Sequence, residues 1–181
     1  MKIALTFLML IIPFAVHAAP GEAPDRAGGD GPHARLILQA VTMVNGEGAP
    51  AVGPVDVLIE QNRIVEIRNL GILSPVPAER RIAVEPGDRV LSLEGHFLLP
   101  GFVDLHAHFG GDAQGVPAEY SAKLWLAHGI TTIREPGSGN GLEWVLRHQK
   151  RSAENAITAP RIVAYVRFGM GADGPFLNTD D

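Results

Sequence analysis

Apolar and polar positions alternate with a period of two through the first half of this chain, which predicts strands at 36–44, 55–60 and 63–69. Gln61-Asn62 leaves a two-residue connection between the last two, where Asn tolerates the positive φ of a tight hairpin. Residues 70–85 carry Pro75 and Pro77, with Pro86 just beyond, and read as an irregular insertion before short strands at 90–93 and 96–99. From Phe102 the period changes. A strand at 102–108 is followed by a helix at 117–128, opened by Pro117 and closed by Gly129, and by a β-branched strand at 130–134. Asn140, with Glu143 three residues on, predicts the capped start of a second helix whose apolar stripe is Leu142, Val145 and Leu146. Pro160 ends it, a third strand runs over 161–168, and 169–181 reads as a loop. Strand, helix, strand, helix, strand is the signature of a parallel α/β fold.

The amino terminus follows a different rule. Lys2, the apolar run 3–15 and the small residues of Val16-His17-Ala18 read as a secretory signal peptide over 1–18, too short for a membrane span of about 20 residues. The expected location is a bacterial periplasm or the cell exterior, with no membrane partner after cleavage; the alternative is an uncleaved membrane anchor. Residues 19–34, rich in Gly, Ala, Pro and Asp, read as a flexible leader. A small β-domain is expected at 35–100 and the α/β region at 101–181. Composition is globular, with 46% apolar and 19% charged residues. A net charge of −5 argues against nucleic acid as a partner, and the absence of cysteine excludes disulfides, thiolate metal sites and a thiol nucleophile. Any metal would therefore be held by nitrogen and oxygen.

The candidate chemistry sits at Leu98-Leu99-Pro100-Gly101-Phe102-Val103-Asp104-Leu105-His106-Ala107-His108. Side chains alternate along a strand, so His106 and His108 share a face, and two neutral imidazoles converging at a strand end are half of a zinc site. This motif, the hairpin segment 56–67 upstream, and Ala127-His128-Gly129-Ile130-Thr131-Thr132-Ile133-Arg134-Glu135 downstream resemble the metal-dependent amidohydrolase superfamily, in that family's order.

The resemblance implies a (β/α)8 TIM-like barrel preceded by a small β-sandwich domain. Such a barrel has eight strands and about 250 residues, and only three of the eight are legible here. It implies a divalent metal, zinc foremost, as one or two ions, with His106 and His108 as ligands. The other ligands and the general base are expected beyond Asp181, so no catalytic base is assigned within the chain. Asp104, on the same face, is a candidate to orient an imidazole ligand, and Glu135, at the carboxyl end of the second strand, is a candidate to support the site or contact substrate. Each has a structural alternative: a backbone-bonded carboxylate for Asp104, and an ion pair with Arg134 or a loop contact for Glu135. Gly137, Gly139 and Gly141 lack the lysine of a phosphate loop and read as the turn opening the next helix. His33 and His96 read as structural, His128 and His148 as dipole or surface groups, and Arg147, Lys150 and Arg151 as a solvated face.

The expected function is hydrolysis of carbon–nitrogen bonds in small amides, cyclic amides or peptide-like substrates by a metal-activated water, with this 181-residue chain an amino-terminal portion inactive alone. The alternatives are a non-catalytic truncated secreted fragment and a metallohydrolase of phosphotriester or lactone type. Association of two copies through the unpaired third strand stays open.

Overall fold

The computed structural model describes residues 21–72 and 75–165. The signal segment and the expected loop at 169–181 lie outside them, as does the end of the third strand. The described residues divide into two compact units, one of residues 26–104 with 128–132 and one of residues 21–25, 105–127 and 133–165.

The first unit is built on β1 (Arg35–Met43), β2 (Val52–Glu60), β3 (Arg63–Asn69), β4 (Arg89–Ser92) and β5 (Phe97–Leu98). They form a five-stranded sheet in the order β3-β2-β1-β4, with β5 pairing the far end of β1. β1 is antiparallel to β2 and parallel to β4 and β5. Both faces of this sheet carry apolar clusters: Leu38, Val41, Val55 and Val57 on one, Ile37, Leu58 and Ile82 on the other. Among the described residues the expected sandwich is thus a single sheet, apolar on both faces.

A bulge explains how β1 serves that arrangement. Leu36 pairs Ile59 and Leu38 pairs Val57, but the next partners are Val41 and Val55, so one extra residue enters β1. That residue shifts the inward parity from even to odd, keeping Leu36, Leu38, Val41 and Met43 with one cluster. Ala40 sits in the bulge at φ 59°, and its N–H donates to Oδ1 of the fully buried Asp56 at 2.9 Å. Asp56 also accepts from Arg81 Nη1 at 3.2 Å and, through Oδ2, from the buried Ile82 N–H at 3.3 Å. One carboxylate therefore ties the bulge to the otherwise irregular 70–85 segment. In the β2–β3 hairpin the positive φ falls on Gln61, at 54°, not on Asn62.

The second sheet has the order β6-β7-β8, with β6 at Phe102–Asp104, β7 at Ile130–Glu135 and β8 at Arg161–Ala164. The bonds Phe102 N–H to Gly129 O and Ala107 N–H to Arg134 O advance together along both segments, so they run parallel. Helices α1 (Ala118–Ala127) and α2 (Leu142–Ala153) fill the connections. α2 is bound to β8 by Gln149 Nε2, which donates to Ile162 O at 2.9 Å.

Three expectations about this region fail. Asn140 does not cap α2; Gly141 holds the cap position without a side-chain bond. Asn140 instead staples the turn after Phe109, donating to Gly110 O at 2.6 Å and accepting from Ala113 N–H at 2.9 Å. Gly111 makes that contact feasible, because a Cβ there would lie 2.6 Å from Asn140 Nδ2, at a φ of 91°. The buried stripe of α2 is Trp144, Val145 and His148, whereas Leu146 is exposed. Finally, Gly21–Asp25 of the expected flexible leader are packed against α2, with Ala23 buried. Among the described residues no helix is long and apolar enough to cross a membrane.

Candidate metal centre

β6 ends at Asp104, so His106 and His108 lie just past the strand and not within it. Past that end Ala107 N–H still donates to Arg134 O of β7, at 3.0 Å. The next donor along, Phe109 N–H, goes to a side chain, Glu135 Oε2, at 2.7 Å. The two imidazoles nonetheless come together: their centroids are 5.5 Å apart and their planes perpendicular.

Glu135 is the organising residue. Alternation along β7 buries Ile133 and Glu135 on one face, so a carboxylate ends an inward apolar row. Its Oε1 is 2.9 Å from His108 Nδ1 and accepts from Gly137 N–H at 3.2 Å. Its main chain is engaged as well, Glu135 O accepting from Tyr165 N–H at 2.9 Å. Both backbone partners are obligatory donors to the carboxylate, and the remaining contact fixes His108 with its proton on Nδ1 and its lone pair on Nε2. That tautomer leaves Nε2 free to ligate a metal. The expected Arg134–Glu135 ion pair does not form. Arg134 donates to Leu105 O at 3.1 Å and lies over the Tyr165 ring, 4.3 Å from its centroid.

Phe109 walls this turn. It is fully buried and meets the rings of Trp125, Trp144 and His148 at centroid distances of 6.3, 5.8 and 5.3 Å. His148, expected at the surface, is fully buried here. Its sequence neighbours Arg147, Gln149 and Lys150 are polar and disguise it, but its i, i+4 spacing from Trp144 places it on the buried stripe. Burial pushes its imidazole below the ordinary value of 6.5, against the Trp144 carbonyl and Glu22, which act the other way. His96 keeps a local role, with Nδ1 3.2 Å from Glu94 O.

The donor set fits part of a nitrogen–oxygen metal site: two adjacent imidazoles, one with its tautomer set by a buried carboxylate. Among the described residues no three His, Asp or Glu side chains converge as a complete ligand cluster.

Among known proteins, the chain is 27% identical over 150 residues to the N-acetylglucosamine-6-phosphate deacetylase of Lysinibacillus sphaericus, covering 79% of this chain and 34% of that protein. It is 27% identical over 118 residues to the adenine deaminase of Paracoccus denitrificans, covering 65% and 16%. Among solved structures it superimposes on molinate hydrolase with a TM-score of 0.61 at 24% identity, covering 77% of this chain and 31% of that one. On a putative prolidase from Bifidobacterium longum the TM-score is 0.59 at 19% identity, covering 79% and 33%. All four are members of one superfamily, and they match the same amino-terminal region. That superfamily is the amidohydrolases, and the chain is similar to their amino-terminal region. No family model matches it. The chain spans about a third or less of the length of these amidohydrolases. Members of the superfamily are generally dependent on a divalent metal.

Proposed function

We propose that this chain supplies the first two metal ligands, His106 and His108, of a secreted hydrolase that cleaves carbon–nitrogen bonds in small amide or peptide-like substrates. The observation that carries this reading is the Glu135–His108 contact at 2.9 Å beside His106, which prepares Nε2 of His108 as a donor. Relatives named as a deacetylase, a deaminase and a molinate hydrolase support the reaction class. Zinc suits an imidazole and carboxylate donor set, and when bound it supplies a Lewis acid and a water acidified to a pKa of about 7.

The chain's own residues have distinct tasks. His106 and His108 hold the ion, Glu135 orients His108, and Phe109 gives the turn a dry, rigid backing. Asp104, two residues before His106, is assigned a supporting role toward that imidazole. Neither catalytic base nor third ligand is assigned among the described residues, so this chain alone is proposed to be inactive. The signal-like segment 1–18 supports export, and a mature protein starting near Ala19 by intact mass is the expected result; retention of Met1 in exported material would refute it.

The test is a paired assay of residues 19–181 and of a longer gene product carrying them, with and without chelator, against a panel of amides and dipeptides. Chelator-sensitive amide turnover confined to the longer product supports the proposal. Chelator-resistant turnover, or turnover by the short form that survives His106→Ala, overturns it.

A further inference from the structure

The segment 21–25 makes three kinds of contact with the rest of its unit, and together they describe a seated strap. Ala23 is 3% exposed, and its N–H donates to Nε2 of His148 at 3.2 Å. Glu22 bonds Arg147 at 2.9 Å and reaches Arg151 at 3.5 Å, while Asp25 bonds Arg151 at 2.8 Å. Gly21, at φ 90°, lies so close to Asp112 that a Cβ would come within 2.7 Å of its backbone nitrogen. The basic face of α2 is thus partly the floor of an intramolecular docking site.

Among the described residues, His148 makes the buried polar contact of that site. Nδ1 lies 2.8 Å from Trp144 O, a pure acceptor, so Nδ1 carries the proton and Nε2 accepts from Ala23. A second proton can enter only at Nε2, where it would turn the acceptor into a donor facing another donor. We propose that residues 21–25 form a latch on α2 that neutral His148 holds closed and protonated His148 opens.

Glu22, Arg151 and Arg147 are the charged groups that act on His148, and Asp25 and Asp112 lie on the elements packed around it. The latch brings Glu22 and Asp25, α2 brings Arg147 and Arg151, and the turn after Phe109 brings Asp112 beside Gly21. Trp144 and Phe109 contribute rings, at centroid distances of 3.9 and 5.3 Å. Glu22 favours the imidazolium, but it is already shared between two guanidinium groups that oppose it. Opening would leave the Ala23 amide unpaired and uncover His148, whose ring backs Phe109 one residue from His108.

The test is residue-resolved hydrogen exchange on the full chain at about pH 7.5 and about pH 5, corrected for intrinsic rates. The Ala23 amide should lose protection roughly tenfold or more at the lower pH while Val145, in the first turn of α2, keeps its own. In His148→Gln, whose side-chain oxygen can accept the same bond at either pH, that loss should vanish. Unchanged protection of Ala23, loss in step with Val145, or a drop that persists in His148→Gln would each overturn the latch; the last would assign the effect to Glu22, Asp25 or Asp112. If His148→Gln fails to fold, nitrogen shifts of His148 in the unaltered protein decide. The proton on Nδ1 at neutral pH, with Nε2 gaining one as Ala23 loses protection, supports the latch, and the opposite tautomer refutes it.

Discussion

Replacing Glu135 by glutamine keeps the volume of a fully buried side chain and changes only its hydrogen-bonding capacity. Three donors converge on the carboxylate: His108 Nδ1 and Gly137 N–H on Oε1, Phe109 N–H on Oε2. An amide offers one oxygen and one NH2 in the same space. If its oxygen faces His108, its NH2 confronts Phe109 N–H. If it flips, its NH2 confronts Gly137 N–H and forces His108 to accept at Nδ1, which moves the proton to Nε2 and removes the ligating lone pair. Either orientation leaves a buried donor unpaired and loses a charge-assisted bond, which costs about 2–3 kcal/mol of stability. Loss of a carboxylate that orients a ligating histidine lowers metal affinity by about 10- to 100-fold. Urea unfolding measures the first effect and competition with a chromophoric chelator the second, with the half-buried Glu119→Gln on α1 as control. A folded Glu135→Gln protein with unaltered zinc affinity would refute the orienting role.

Asp56→Ala should destabilise the β-domain by about 3 kcal/mol, because the buried Ile82 N–H and the bulge N–H of Ala40 both lose their acceptor, while Asp56→Asn should cost about 1–2 kcal/mol by retaining one oxygen. Equal unfolding midpoints for the three proteins would contradict this. Stability should also fall on acidification through His148: its folded pKa is depressed by burial, so the unfolded chain takes up the proton first. That contribution is complete above about pH 6.5 and is lost below it at up to about 1.4 kcal/mol per pH unit, until the folded imidazole itself protonates. A thermal-unfolding series from pH 7.5 downward in which His148→Gln shows the same slope as the unaltered chain would exclude His148 as its source.

The hairpin of β2 and β3 was legible because alternation and a two-residue turn are local signals, and β3 begins and ends where the pattern predicts. The juxtaposition of His106 and His108 was legible from the i, i+2 spacing of two imidazoles. Its geometry was not, since β6 stops at Asp104 and Glu135, 27 residues from His108, then takes over the placement of that imidazole. A side-chain contact of that separation leaves no periodicity in sequence. The docking of 21–25 was hidden for the same reason: it rests on one amide, a glycine and three charged pairs, in a segment whose composition reads as a linker. His148 was misread because its neighbours are polar, although its spacing from Trp144 carried the correct answer. Asn140 was misread because a capping residue and a loop staple look alike until the acceptor and donor are located.

The central claim is that His106 and His108 bind metal, and the most direct measurement is zinc-edge X-ray absorption combined with elemental analysis of the longer gene product. The account predicts imidazole scattering in the unaltered protein and, in folded His106→Ala/His108→Ala, the loss of two imidazole contributions with at least one metal equivalent. Unchanged stoichiometry and unchanged imidazole scattering in that double variant would contradict it.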